Sequence, residues 1–250
     1  MALHTVEFGP HDAPFVVLVH GTMDRAGGMA RTARILADRH RVLVYDRRGY
    51  GRSKPHAGPY DTATQVDDLL TVMNGRTAVV VGHSYGGNVA LAAAASAPEL
   101  VRAVAVYETP LSWLPWWPSH SGGSRSMSAS EDPEQAAEDF MRRMVGDEVW
   151  VKLPAKTRAD RRAEGPALVG ELAALVARAP YDPAKVRVPA VVAHGSRGSD
   201  HHRTGTEWLA ATMPNAELVV IEGAAHGVHT SNPAAFATLV ERAVARSAGR

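Results

Sequence analysis

The 250-residue chain contains no cysteine, which excludes a disulfide framework, a thiol nucleophile and any cysteine-based zinc site. It has no apolar run approaching the ~20 residues that a membrane span needs. Its start, Met1-Ala-Leu-His-Thr-Val-Glu-Phe, lacks the basic end and apolar stretch of a secretory signal, so a cytoplasmic location without a membrane partner is expected. Charge of one sign is not in excess: 27 Lys and Arg face 26 Asp and Glu, and net charge gives no case for nucleic acid as partner. No internal repeat, Walker-type glycine loop, dinucleotide fingerprint or His-Glu-x-x-His motif is present, so neither a cofactor nor a metal is expected. What remains is 45% hydrophobic and 21% charged, ordinary for a globule with one sizeable core acting on a small molecule, as a monomer or a homodimer.

Short β-rich runs alternate with helical stretches. Strands are expected at Thr5 to Phe8, Phe15 to Val19, Arg41 to Tyr45, Thr77 to Val81, Val101 to Tyr107, Val188 to Ala193 and Leu218 to Ile221. Several are apolar at every position instead of alternating, as strands are when helices cover both faces of a parallel sheet. Helix-compatible stretches lie at Arg31 to Leu36, Gln65 to Met73, Asn88 to Ser96, Thr206 to Met213 and Pro233 to Arg246, the last opening on the cap signal Ser231-Asn232-Pro233. The fold class is therefore α/β, with a mostly parallel central sheet and helices on both faces.

The alternation breaks from Leu111 to about Pro180, too long for a crossover connection. We expect a helical cap over 111–180, inserted into a core made of 1–110 and 181–250. Within it Ala136, Ala137, Phe140, Met141, Met144 and Val145 share one helical face, as do Leu168, Val169, Leu172, Leu175 and Val176. Ser119 to Ser130, rich in Ser and Gly, reads as a hinge or lid segment.

One pentapeptide carries the chemistry. Gly82-His83-Ser84-Tyr85-Gly86 sits between the apolar run Ala78 to Val81 and the small-residue helix from Asn88, the setting of a nucleophile elbow. Such a turn pushes the serine out above the end of the sheet and needs glycines where a Cβ would strike neighbouring backbone. Ser84 is the candidate nucleophile. A serine hydroxyl needs a general base and donors for the oxyanion that forms. His226, in the loop after the last strand, is the candidate base, with His229 its competitor. The oxyanion donors are expected to be the backbone amides of Tyr85 and Thr22, with Met23 the alternative to Thr22 in the loop His20-Gly21-Thr22-Met23. His20 reads as a structural residue of that loop.

The ordered motifs Val-Leu-Val-His20-Gly21, Asp46-Arg47-Arg48-Gly49-Tyr50-Gly51-Arg52-Ser53, Gly82-His83-Ser84-Tyr85-Gly86 and Gly223-Ala-Ala-His226 make the chain resemble an α/β-hydrolase with a cap domain, over essentially its whole length. The resemblance implies a turn-shaping role for the segment from Asp46 to Ser53. It also implies an Asp three residues after the glycine of a His-Gly turn, yet His194-Gly195-Ser196-Arg197 is followed by Gly198. Two carboxylates can compensate. Glu108, at the end of the strand after the nucleophile helix, resembles the acid position of haloalkane dehalogenases; Asp200 lies two residues beyond the empty slot. Either has only to accept the Nδ1–H of His226. Glu108 is preferred, because burying a carboxylate without such a task is costly.

Trp113, Trp116 and Trp117 follow Glu108 closely and are expected to line an apolar or aromatic substrate pocket. The implied activity is hydrolysis of a small carboxylic ester, lactone or thioester through an acyl-serine intermediate. Carbon–carbon, N-acyl or perhydrolase chemistry on the same triad, or ligand binding on a hydrolase fold without catalysis, are the alternatives.

Overall fold

The computed structural model describes residues 2–119, 121 and 132–248. Its strands are β1 Thr5–Phe8, β2 Phe15–Val19, β3 Arg41–Tyr45, β4 Ala78–His83, β5 Val101–Tyr107, β6 Ala190–Gly195 and β7 Ala216–Ile221. They form one seven-stranded sheet in the order β1-β3-β2-β4-β5-β6-β7, in which β1 is antiparallel to β3 and every other pairing is parallel. The all-apolar strands sit where both faces are covered. Val17, Leu43 and Val80 pack with helices α2 (Thr62–Met73) and α3 (Tyr85–Ser96), while Val16, Leu18 and Val81 pack with α1 (Ala26–Leu36) on the opposite face. The C-terminal helix α10 (Pro233–Ser247) joins α1 there through Phe236, Leu239 and Val240. Edge strand β7 instead leaves Leu218 and Val220 about two-fifths exposed, at 41% and 43%.

Most elements lie where the residue pattern puts them, with shifted ends. β4 and β6 run on through His83 and Gly195, because the parallel ladder continues past the apolar residues: His83 pairs with Tyr107 and Gly195 with Ile221. Helix α1 begins at Ala26 despite Gly27 and Gly28, its first amide donating to Asp46 Oδ1 at 2.7 Å. At the last helix the Asn232 side chain accepts the amide of Ala235 and Pro233 occupies the first turn, as the cap signal implies.

Between β5 and β6 the described residues form α4 Pro133–Val145, α5 Asp147–Lys152, α6 Ala155–Arg162 and α7 Gly165–Ala177, followed beyond β6 by α8 Asp200–Thr212 and α9 Val228–Ser231. Ala136, Ala137, Phe140 and Met141 of α4 pack on Leu168 and Leu172 of α7, on Trp150, and on Met23 and Tyr50 from the core loops. Met144 and Val145 depart from the buried face expected for them, at 50% and 36% exposure, since α4 ends here and Met144 borders an open cavity. Val176, near the end of α7, is likewise 42% exposed. The expected hinge from Ser119 to Ser130 lies, apart from Ser119 and Ser121, outside the described residues. Among the described residues no helix is long and apolar enough to cross a membrane.

Candidate active site

Register brings two residues together. His83 is the last residue of β4 to pair with β5, opposite Tyr107, so Ser84 and Glu108 leave the sheet side by side. Both turn sharply: Ser84 has φ 53° and Glu108 φ 47°, left-handed values that few non-glycine residues adopt. Met23, in the loop after β2, has φ 55°, so three strained residues cluster at the same sheet edge. The elbow is tight enough that a Cβ at Gly82 would overlap the backbone of Gly86 and Gly87, and one at Gly86 would overlap the carbonyls of Val19 and His20. The Ser84 amide donates to Tyr107 O at 2.9 Å, tying the elbow to the strand that delivers Glu108.

The Glu108 side chain is fully buried and splits its oxygens between two donors. Oε2 lies 2.7 Å from His226 Nδ1, and Oε1 accepts the Gly195 amide at 3.0 Å. Gly198, in the slot where the acid was first sought, has no room for a side chain while Glu108 stays in place: its Cβ would overlap Oε1 of Glu108. Asp200 is not brought to His226. It opens α8, its side chain is 90% exposed, and it pairs with Arg203 at 2.6 Å. His229 is also placed elsewhere, buried against Asp24 with Nε2 3.0 Å from Oδ2.

Behind these residues stands a histidine that the sequence reading passed over. His83 Nε2–H donates to the His226 carbonyl at 2.7 Å, and its ring lies 4.8 Å from that of His226 and 4.0 Å from that of His229. Burial, then the neighbouring His229 and His226, hold His83 well below the ordinary imidazole value, so it is neutral. His202 of α8 stacks on His226, with centroids 4.7 Å apart and planes 16° apart, and is held low in the same way by burial and by His226. Asp24, His83 and His229 form one group whose donor atoms lie within 4.8 Å of one another, and Glu108, His202 and His226 form another. In each a histidine already hydrogen-bonds the carboxylate, a contact that a metal ion would have to displace.

The loop after β2 is fixed from below. His20 donates Nδ1–H to Gly21 O at 2.8 Å and accepts the Arg47 amide at Nε2, 2.9 Å away, while burial, then Arg47, push its pKa down to about 3. Thr22 donates its hydroxyl to Glu171 Oε1 at 2.7 Å and faces the cavity beside Ser84; Met23 is buried in the contact with α4 and α7. Tyr85 begins α3 with its ring buried and its hydroxyl 3.0 Å from Thr62 Oγ1. Glu171 was missed by sequence reading, although a carboxylate one turn from Leu168 on the apolar stripe of α7 was a visible signal. Fully buried, it also takes Arg47 at 2.7 Å and Tyr50 at 2.8 Å, joining α7 to the motif from Asp46 to Ser53. Asp46 itself accepts the amides of Ala26 and Arg52, a turn-shaping role.

Ser84 and His226 line a cavity of about 340 Å³. Of the three tryptophans only Trp117 lines it. Trp113 instead packs edge-on to Tyr181 in the main core, at 5.6 Å, and Trp116 turns outward at 42% exposure, because the short turns after Leu111 send successive rings in different directions. A larger depression, about 630 Å³ and bounded by His4, Arg25, Lys156 and Asp160, contains neither Ser84 nor His226.

Three histidines held neutral make stability depend on pH. His20, His83 and His202 have folded-state pKa values below the 6.5 of an unfolded histidine, so the unfolded chain binds more protons at acid pH. Their contribution is intact above pH 6.5 and falls as pH drops toward the folded values, about 3 for His20. The expected loss is about 1.4 kcal/mol per pH unit for each histidine. Urea melts between pH 7 and 5 check it; a midpoint that stays level or rises on acidification contradicts the neutral assignment.

Comparison with known proteins agrees with this architecture. The chain is 31% identical over 237 residues to a pimeloyl-[acyl-carrier protein] methyl ester esterase of Chromobacterium violaceum, covering 89% of this chain and 91% of that one. Among solved structures, an enol-lactonase from Burkholderia xenovorans LB400 superposes with a TM-score of 0.75 at 23% identity, covering 97% and 96% of the two chains. An alpha/beta hydrolase from Sphaerobacter thermophilus gives 0.68 at 28% identity, covering 96% and 95%. A model of the alpha/beta hydrolase family matches residues 16–239, and with the elbow, the parallel sheet and the motif order already in place, the chain belongs to that family.

Proposed function

We propose that this protein is a serine hydrolase of small carboxylic esters, lactones or thioesters, with Ser84 as nucleophile, His226 as general base and Glu108 as the acid that orients it. The observation that carries this reading is the pairing of Glu108 Oε2 with His226 Nδ1 at 2.7 Å, in a cavity wall shared by His226 and the strained Ser84. A histidine whose Nδ1–H is held by a buried carboxylate presents Nε2 as a base. It takes the Ser84 proton as Oγ bonds to the acyl carbon, and the carbonyl oxygen becomes an oxyanion within reach of the Tyr85 and Thr22 amides. Collapse expels the alcohol, which leaves with the proton from His226. Water then attacks the acyl-serine with the same base, releasing the acid and restoring Ser84. The segment 111–180 acts as a cap, supplying Phe140, Met144 and Leu172 to the cavity wall and an apolar environment for the acyl or alcohol group.

A fluorophosphonate labels serines activated by a nearby base. Stoichiometric modification mapped to Ser84, and absent in His226→Ala, is the expected result. A folded protein that takes up no label contradicts the reading and favours ligand binding without turnover.

A further inference from the structure

The cavity has a mixed lining. Phe140, Met144 and Leu172 come from the helical segment, and Arg197, His201 and His202 from the β6–α8 loop and the first turn of α8, with Trp117 edge-on to both histidines, at 4.9 and 5.5 Å. Among the described residues no carboxylate lines it. Arg197 is exposed at this wall, and its guanidinium has no ion-pair or hydrogen-bond partner among the described residues. Asp200, three residues on, pairs with Arg203, and both oxygens of Glu108, which lies beside Gly198, are taken by His226 and Gly195.

The backbone that carries Arg197 is held firmly. Its amide donates to Ala224 O at 2.9 Å, and the next amide, of Gly198, donates to Gly195 O at 3.0 Å. Ser199 Oγ lies 3.1 Å from His201 Nε2, beside the same wall. With the acid supplied by β5, this loop delivers no catalytic carboxylate, and its polar residues face the cavity instead. An unpaired guanidinium in the lining of a cavity that also carries Phe140, Met144 and Leu172 matches a flat, bidentate anion joined to a short hydrocarbon chain.

Building on the ester-hydrolase reading, we propose that the substrate is a small ester bearing a carboxylate, which Arg197 binds at the cavity wall while the hydrocarbon between carboxylate and scissile bond lies on Phe140, Met144 and Leu172. The cavity, about 340 Å³, is near the small end of the range for ligand sites and suits such a compact molecule. Arg197 is here a specificity residue, not part of the proton-transfer chain.

The test compares monoethyl adipate with its neutral methyl-ketone isostere, and the acetate ester of γ-hydroxybutyrate with its own isostere, so that the carboxylate is placed in turn on the acyl and the alcohol side. In the wild-type protein kcat/KM for at least one carboxylate ester exceeds that of its isostere about tenfold at low ionic strength, and the ratio shrinks as salt is added. Arg197→Gln brings that ratio to about one and Arg197→Glu inverts it. Adipate binding to the Ser84→Ala protein, measured by calorimetry, supplies a readout independent of turnover and weakens about tenfold in Ser84→Ala/Arg197→Gln. Turnover of neutral isosteres as fast as the carboxylate esters overturns the carboxylate subsite while leaving the ester reading standing. Absent turnover of every ester sinks the ester reading, and absent adipate binding then sinks the subsite too.

Discussion

Glu108→Gln lowers kcat by about 10⁴-fold, whereas Asp200→Asn stays within about twofold of the parent. The asymmetry follows from how the Glu108 oxygens are used. Oε1 accepts the Gly195 amide and Oε2 accepts from His226, so both ends of the carboxylate work as acceptors. A glutamine has one acceptor oxygen and one NH₂. If the oxygen stays on the Gly195 amide, the NH₂ meets His226 Nδ1 and forces the ring proton onto Nε2, where the base must be free to receive the Ser84 proton. If the amide flips, a buried backbone N–H loses its acceptor and faces a donor, which is unfavourable by about 1–3 kcal/mol. The first arrangement therefore dominates, and the variant carries the wrong tautomer. Asp200, 90% exposed and paired with Arg203, touches none of this. Steady-state rates on one ester decide it, and the reverse ranking would return the acid to the β6–α8 loop.

That competition between two acids shows where the residue pattern suffices and where it stops. All-apolar strands and the glycines around Ser84 are strong local signals, because a doubly covered strand and a left-handed serine each tolerate few residue types. The sheet and the elbow are therefore legible from composition and spacing. The acid is less so: Glu108 is preferred on the cost of burying a carboxylate, but Asp200 also fits beside a one-dimensional motif. What separates them is register: pairing of His83 with Tyr107 carries Ser84 and Glu108 off the sheet together. The tryptophans failed for a related reason. Trp113, Trp116 and Trp117 are close in sequence, but irregular backbone has no fixed period, so closeness does not assign a common face, and only Trp117 reaches the cavity. Glu171 shows a third limit. Its partners Thr22, Arg47 and Tyr50 lie far away in sequence, and a long-range buried ion pair leaves only an isolated charge on an apolar stripe as its local trace.

Gly198 gives the second large effect, from a residue with no functional group. A methyl there would overlap Oε1 of Glu108, so Gly198→Ala must displace either the carboxylate or the loop that donates the Gly195 amide. Either movement tilts His226 away from Ser84, and misplacement by about 1 Å costs on the order of 10²-fold in rate. The expected result is a kcat reduced by about 10²-fold with little change in KM, while fluorophosphonate labelling of Ser84 slows in parallel. By the same overlap, an acid at position 198 and an acid at position 108 compete for one volume in this chain. Gly198→Asp alone is therefore as damaging as Gly198→Ala, although it adds a carboxylate beside the base. Combined with Glu108→Ala, which vacates the space, the new Asp reaches His226 from the loop and raises kcat at least about tenfold above Glu108→Ala alone. A coupling of that sign between two contacting sites measures their exclusion directly. If Gly198→Ala proves silent, or if the double variant is no better than Glu108→Ala, the glycine is a turn residue only and the two acid positions are independent.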